Sequence, residues 1–120
     1  MTHDPGSHDP GLRAAALEAL GRQPDRDLID RVARAHLTDP DPLVRGVAAG
    51  LVAWLRRPGY VDALMPLTTD PAGDVRSVVT LRLGMGRDPA AVPLLQVMTG
   101  DPDDRIRRSA VLALRHLTAG

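Results

Sequence analysis

The chain has no cysteine, no lysine, no asparagine and no phenylalanine, and a single tryptophan, tyrosine and glutamate among its 120 residues. Without cysteine there is no disulfide framework, no thiolate metal ligand and no thiol nucleophile, and such a chain suits a reducing cytoplasm. Without lysine, arginine carries all fifteen positive charges, against fifteen acidic ones. That bias has the look of a GC-rich coding sequence and carries no function. A net charge of zero argues against nucleic acid or an anionic membrane as partner, because both are held by a positive surplus that displaces counterions. No apolar run approaches the roughly 18 residues needed to cross a bilayer. The opening MTHDPGSHDPG lacks the charged-then-apolar order of a secretory leader. Residues 1–8, polar and rich in Gly and Pro, are expected to form a flexible tail.

What is present is a repeat. Asp39, Pro40, Val44, Arg45, Ala48, Val52 and Leu55 return thirty-one residues later as Asp70, Pro71, Val75, Arg76, Val79, Leu83 and Gly86. Thirty-one further on they are Asp101, Pro102, Ile106, Arg107, Ala110, Leu114 and Leu117, with no gap in either step. A fixed period of this length marks a stacked array of supersecondary units.

The units read as helices. Asp9-Pro10 is a start signal: the carboxylate accepts from free amides of the first turn, and proline fits where its amide would be unpaired anyway. The first helix, ending near Gly21, is expected to turn Leu12, Ala15, Ala16, Ala19 and Leu20 to one face. A second spans about 26–38, with a stripe of Leu28, Ile29, Val32 and Ala35, and a third about 42–56, with Val44, Val47, Ala48, Leu51, Val52 and Leu55. Tyr60 to Thr69 forms a shorter helix that Pro66 should bend. Asp74 to Gly84 follows. Asp88-Pro89 opens the next helix, which buries Val92, Leu95 and Met98, and Asp103 to Thr118 is the last. The expectation is an all-α solenoid of seven helices in one domain: a leading helix over 9–22, then hairpins over 26–56, 59–86 and 88–118. Each pair is two-faced and buries its core only against its neighbours.

The pattern D-P-x-x-x-(V/I)-R before a helix rich in small residues, with D-P-A-A-V-P-L-L between units, resembles a HEAT repeat. The likeness is to the short bacterial type also found in phycobilisome-lyase-like proteins, and it covers about Asp9 to Leu117. It implies a protein-binding scaffold in which recurrent Asp and Arg knit neighbouring repeats together. Here that role falls to Asp39, Asp70 and Asp101 with Arg45, Arg76 and Arg107, and Arg13 takes the same place in the leading helix. The leading unit is half a repeat and reads as a cap.

Signals for chemistry are few. His3 and His8 lie in the tail, His36 near the end of the second helix, and His116 at the end of the last, where a basic group suits the helix dipole. No H-E-x-x-H, G-x-S-x-G or P-loop is present, and Gly84-Met85-Gly86 is a helix end without the preceding strand or following lysine of a phosphate cradle. Asp103-Asp104 fits helix capping. No enzyme activity, metal or cofactor is expected. A base-flipping glycosylase, known on this fold, would need aromatic residues and a basic groove.

The resemblance implies that the second helix of each unit lines a concave surface. Ten residues beyond Leu12, Val44, Val75 and Ile106 stand Arg22, Trp54, Met85 and His116, and six beyond stand Glu18, Gly50, Leu81 and Leu112. A solvated face would be charged there. Instead Trp54, Leu81, Met85 and Leu112, flanked by His116, Arg82 and Arg115, form an apolar stripe among the small residues Gly46, Gly50, Ala53 and Gly84, through which a partner backbone could approach. Arg82 stands where other units carry Ala19, Leu51 and Ala113. The stripe points to a groove for another protein or peptide, with self-association as a variant. A core role for the stripe, and an accessory enzyme or chromophore chaperone using the same groove, remain the alternatives.

Overall fold

A computed structural model describes residues 8–118. Its elements run α1 (Pro10–Leu20), α2 (Arg26–Ala35), α3 (Pro42–Leu55), α4 (Tyr60–Leu64), α5 (Gly73–Gly86), α6 (Val92–Met98) and α7 (Asp104–Thr118), with no strand among the described residues. Helices α1, α3, α5 and α7 stack side by side, and α2, α4 and α6 pack against this row. The chain is thus an all-α solenoid. Residues 1–7 of the expected tail, His3 among them, lie outside the described residues; His8 is exposed.

The starts are set by aspartate. Asp9 Oδ1 accepts from the amides of Gly11 and Leu12, Asp25 Oδ1 from Leu28, Asp41 Oδ1 from Leu43, and Asp103 Oδ1 from Arg105. Only α5 begins on an uncapped residue, Ala72, among these long helices. The ends of α3 and α5 fall on Arg56 and Arg87, whose φ of 51° and 53° places arginine in the left-handed conformation more often filled by glycine.

The core lies between the two rows. Leu17, Ile29, Val44, Val52, Leu64, Val75, Val79, Leu83, Leu95, Met98 and Ile106 are all almost fully buried. Each side chain of this size contributes about 1.5–3 kcal/mol by leaving water. Thr80 joins them because its hydroxyl is satisfied, donating to the Arg76 carbonyl at 2.8 Å beside the Met98 sulfur.

Several local expectations change. Pro66 does more than bend its helix: α4 stops at Leu64 and the chain continues as a 3-10 turn over Met65–Thr69. Proline has no amide to offer the Asp62 carbonyl, which accepts from Met65 instead. Asp88-Pro89 opens a 3-10 turn over Pro89–Ala91 before α6 begins, and it is Leu94 that is buried, with Val92 half-buried. In α2 the buried alanine is Ala33, while Ala35 is exposed. The largest change is in α1, which buries Ala14 and Leu17 and leaves Leu12, Ala15 and Ala19 exposed. The expected stripe is the side that α3, α5 and α7 each turn toward the helix before them; α1 has no such neighbour among the described residues.

Candidate functional site

Two features repeat from unit to unit: a chain of ion pairs along one edge of the stack, and a cleft along its open side.

In the ion-pair chain each arginine reaches forward to the aspartate of the next unit. Arg13 Nε and Nη2 donate to Asp39 Oδ2 and Oδ1 at 3.0 and 2.9 Å. Arg45 grips Asp70 at 2.7 and 3.0 Å, and Arg76 grips Asp101 at 2.8 and 3.3 Å. The three carboxylates are buried and also accept from the amides of Asp41, Ala72 and Asp103. Burial alone would push the Asp39 and Asp70 carboxyls upward. Hydrogen bonds from their arginines and from the Asp41 and Ala72 amides, with the arginine charge, outweigh it and hold both below the ordinary carboxylate value. Arg107, the fourth member, meets no following aspartate; its Nη2 donates to Asp104 Oδ1 at 3.1 Å.

The same Asp–Arg contact thus recurs from unit to unit. The HEAT-repeat pattern matches residues 6–84 and 61–118. The chain belongs to the HEAT-repeat family. No curated protein matches it. HEAT repeats generally mediate protein–protein interaction.

The cleft of this HEAT array encloses about 1010 Å³. Helix α3 forms its floor with Leu43, Val47, Leu51 and Trp54; α5 contributes Val78, Leu81 and Arg82, and α1 contributes Glu18. A smaller cavity of about 310 Å³ lies between α5 and α7, lined by Leu81, Met85, Leu112 and His116 with Arg87 at its edge. Leu81 is common to both, so the two form one lined surface. Trp54, Leu81, Met85 and Leu112 are each more than half exposed, so none of them lies in the core of the described residues. The Arg26 guanidinium lies over the Trp54 ring, 5.3 Å from its centroid, within cation–π range.

The remaining expected residues divide. Arg82 is exposed and lies over Gly50, with its Nε 3.9 Å from where a Cβ on that glycine would sit. Arg115 is exposed but lines neither cavity; it occupies the place that Gly21, Ala53 and Gly84 hold in the earlier helices. The small residues also separate into two kinds. At Gly84 a Cβ would stand 2.8 Å from the Ala113 Cβ, and Ala53 is buried, so both serve the close approach of successive helices and not a partner. Gly46 and Gly50 line the cleft, and a Cβ on either would stand 3.9–4.0 Å from the α5 side chains Val78 and Arg82, in ordinary contact. Leu43, 55% exposed at the cleft mouth, was invisible to the repeat because its equivalents are Gly11, Asp74 and Arg105.

His36 and Asp103 have ordinary structural roles. His36 Nδ1 lies 2.9 Å from the Val32 carbonyl one turn back. Asp103 caps α7, and the Arg105 amide holds its carboxyl below the usual value. Among the described residues no three His, Asp or Glu side chains converge as a metal site, and no helix is long and apolar enough to cross a membrane.

Proposed function

We propose that this HEAT array is a non-enzymatic adaptor that holds a segment of another protein across the cleft and the adjoining cavity. The observation that carries the reading is the run of large exposed apolar side chains on one surface: Leu43, Trp54, Leu81, Met85 and Leu112. Leaving this much apolar surface in water is unfavourable unless a partner covers it. Tryptophan is the most frequent energetic anchor of such interfaces, and methionine adapts to varied contours. The neutral net charge supports a protein over nucleic acid, and the lack of cysteine fits a cytoplasmic setting.

The test is affinity capture from the source cell with wild-type protein and a Trp54→Ala/Met85→Ala variant in parallel. A groove-bound partner should bind the variant at least about thirtyfold more weakly, the loss expected for removing one anchor of about 2 kcal/mol. Equal capture of all partners by the two proteins would sink the proposal.

A small-molecule reading rests on cavity size, since the larger cleft is at the upper end of ligand pockets. It is favoured only if a chromophore or other compound raises the Tm of wild-type protein and not of the Trp54→Ala variant.

A further inference from the structure

The fourth arginine of the ion-pair chain has the pose of its three predecessors without their partner. In the interior, Arg45 is anchored through Nη1, which donates to the carbonyls of Asp39 and Pro40 at 2.9 and 3.1 Å. That anchor aims the Nε–Nη2 edge at the next aspartate. Arg107 has the same anchor: Nη1 donates to the carbonyls of Asp101 and Pro102 at 2.8 and 3.1 Å. Its Nη2 makes a single bond to Asp104, and its Nε has no acceptor among the described residues. The side chain is 41% exposed, against 12–14% for Arg13, Arg45 and Arg76. It is a preorganised fork for a carboxylate, and three filled copies in the same molecule show what it holds.

The surface around it is unlike the interior surfaces that receive another helix. Each of those presents small residues at two places, Ala14 and Gly21 on α1, Gly46 and Ala53 on α3, and Ser77 and Gly84 on α5, around a third held by Leu17, Ala49 and Thr80. On α7 the same places carry Arg108, Val111 and Arg115, all exposed. Two long arginines stand where a further helix would need glycine or alanine. Arg108 and Arg107 share one carboxylate, Asp104, which leaves this face positive.

We propose that the α7 end face is a second docking site, distinct from the cleft, for an acidic turn of a partner protein. An aspartate of that turn takes the Nε–Nη2 edge of Arg107, as Asp70 takes that of Arg45. Arg108 and Arg115 flank it and favour further carboxylates, and Val111 offers the one apolar contact. The site excludes a helix packed as the interior ones are, so the ligand is a turn or extended segment.

The probe is the turn that the interior already uses: acetylated residues 67–73, Leu-Thr-Thr-Asp-Pro-Ala-Gly amide, titrated into labelled full-length protein at low salt. The expected result is a saturable shift of the Arg107 Nε–Hε signal and the Val111 amide, with those of Arg45 and Arg76 unmoved because their edges are filled. The same peptide with asparagine for its aspartate should bind about tenfold more weakly, and Arg107→Lys should lose a similar factor, since lysine keeps the charge but not the fork. The Arg107 side chain is 41% exposed and pairs only with the exposed Asp104, so its variants remain folded, which the unchanged Arg45 signal would verify. The proposal is overturned if Arg107 does not respond up to about 10 mM peptide, the millimolar range of a single weak contact. An equal response to sodium acetate or to the asparagine peptide overturns it too, as a generic anion effect. A concentration-dependent doubling of mass abolished by Arg107→Lys would put a second copy in the site and overturn the assignment to a different partner.

Discussion

Arg76 and Arg107 are the same residue in the same place of successive repeats, yet their removal should have very different costs. Arg76 donates twice to Asp101, whose side chain is 3% exposed. Replacing Arg76 by alanine leaves that carboxylate buried with only the Asp103 amide to hold it. At an effective dielectric constant of about 20, unit charges about 4 Å apart attract by about 4 kcal/mol. Water entering around the shortened side chain recovers part of this, so a net loss of about 2–4 kcal/mol is expected. For a chain of this size that lowers Tm by about 8–15 °C. Arg107 faces only Asp104, 53% exposed and already paired with Arg108. A surface pair of that kind contributes about 0–1 kcal/mol, and Arg107→Ala should shift Tm by only a few degrees. Urea denaturation of the two single variants gives both values. Coupling energies from double-mutant cycles, Arg76 with Asp101 and Arg107 with Asp104, isolate the pairs from the carbonyl bonds each arginine also makes. Equal losses for the two variants, or a loss below about 1 kcal/mol for Arg76→Ala, would refute the assignment of the buried pairs as the joints between repeats.

Other outcomes follow from the same geometry. Ala72→Asp should stabilise by about 1 kcal/mol, because it supplies the carboxylate cap that α5 lacks at a residue already in the extended conformation a cap requires; unchanged urea midpoints would argue against it. Gly46→Ala should stabilise by about 0.5–1 kcal/mol through helix propensity, since its Cβ meets nothing closer than 4.0 Å, whereas Gly84→Ala should destabilise by about 1–2 kcal/mol despite the same propensity gain. Acid should loosen the stack. The folded-state carboxyls of Asp39 and Asp70 titrate below their unfolded values, so their stabilisation is fully present above about pH 4 and is lost as pH falls through the folded values. A pH series of melting curves that stayed flat from pH 5 to about pH 2 would contradict this.

Much of the array was legible because the repeat states each position three times. Val44, Val75 and Ile106 are buried in turn, as are Ala48, Val79 and Ala110, and Trp54, Met85 and His116 are exposed in turn. Burial could be inferred from period alone where a preceding helix of the row packs on the stripe, as in α3, α5 and α7. It failed at α1, where Leu12, Ala15 and Ala19 have the interior pattern but, among the described residues, no helix beside them. It also failed to distinguish two kinds of glycine, since Gly46 and Gly84 differ only in what stands opposite. Leu43 carries no signal in the period because its equivalents share no character, and Arg115, one residue from His116, points about 100° round the helix to another face.

The solenoid, its seven helices, the direction of the core face in α3, α5 and α7, and the recurrence of Asp and Arg were all written in the order of residues. Each of these depends on local spacing, capping chemistry and a period that repeats without a gap. Which aspartate each arginine grips was settled only by folding in three dimensions. The nearest in sequence is not the partner: Arg45 bonds the backbone carbonyl of Asp39 and the side chain of Asp70, twenty-five residues on. The stacking of whole units brings that carboxylate within reach, and among the described residues no carboxylate stands in the same place for Arg107. The same residue is therefore an internal joint in one repeat and an open fork in the next, because neighbours in space, and not the local sequence, set what a charged side chain can pair with.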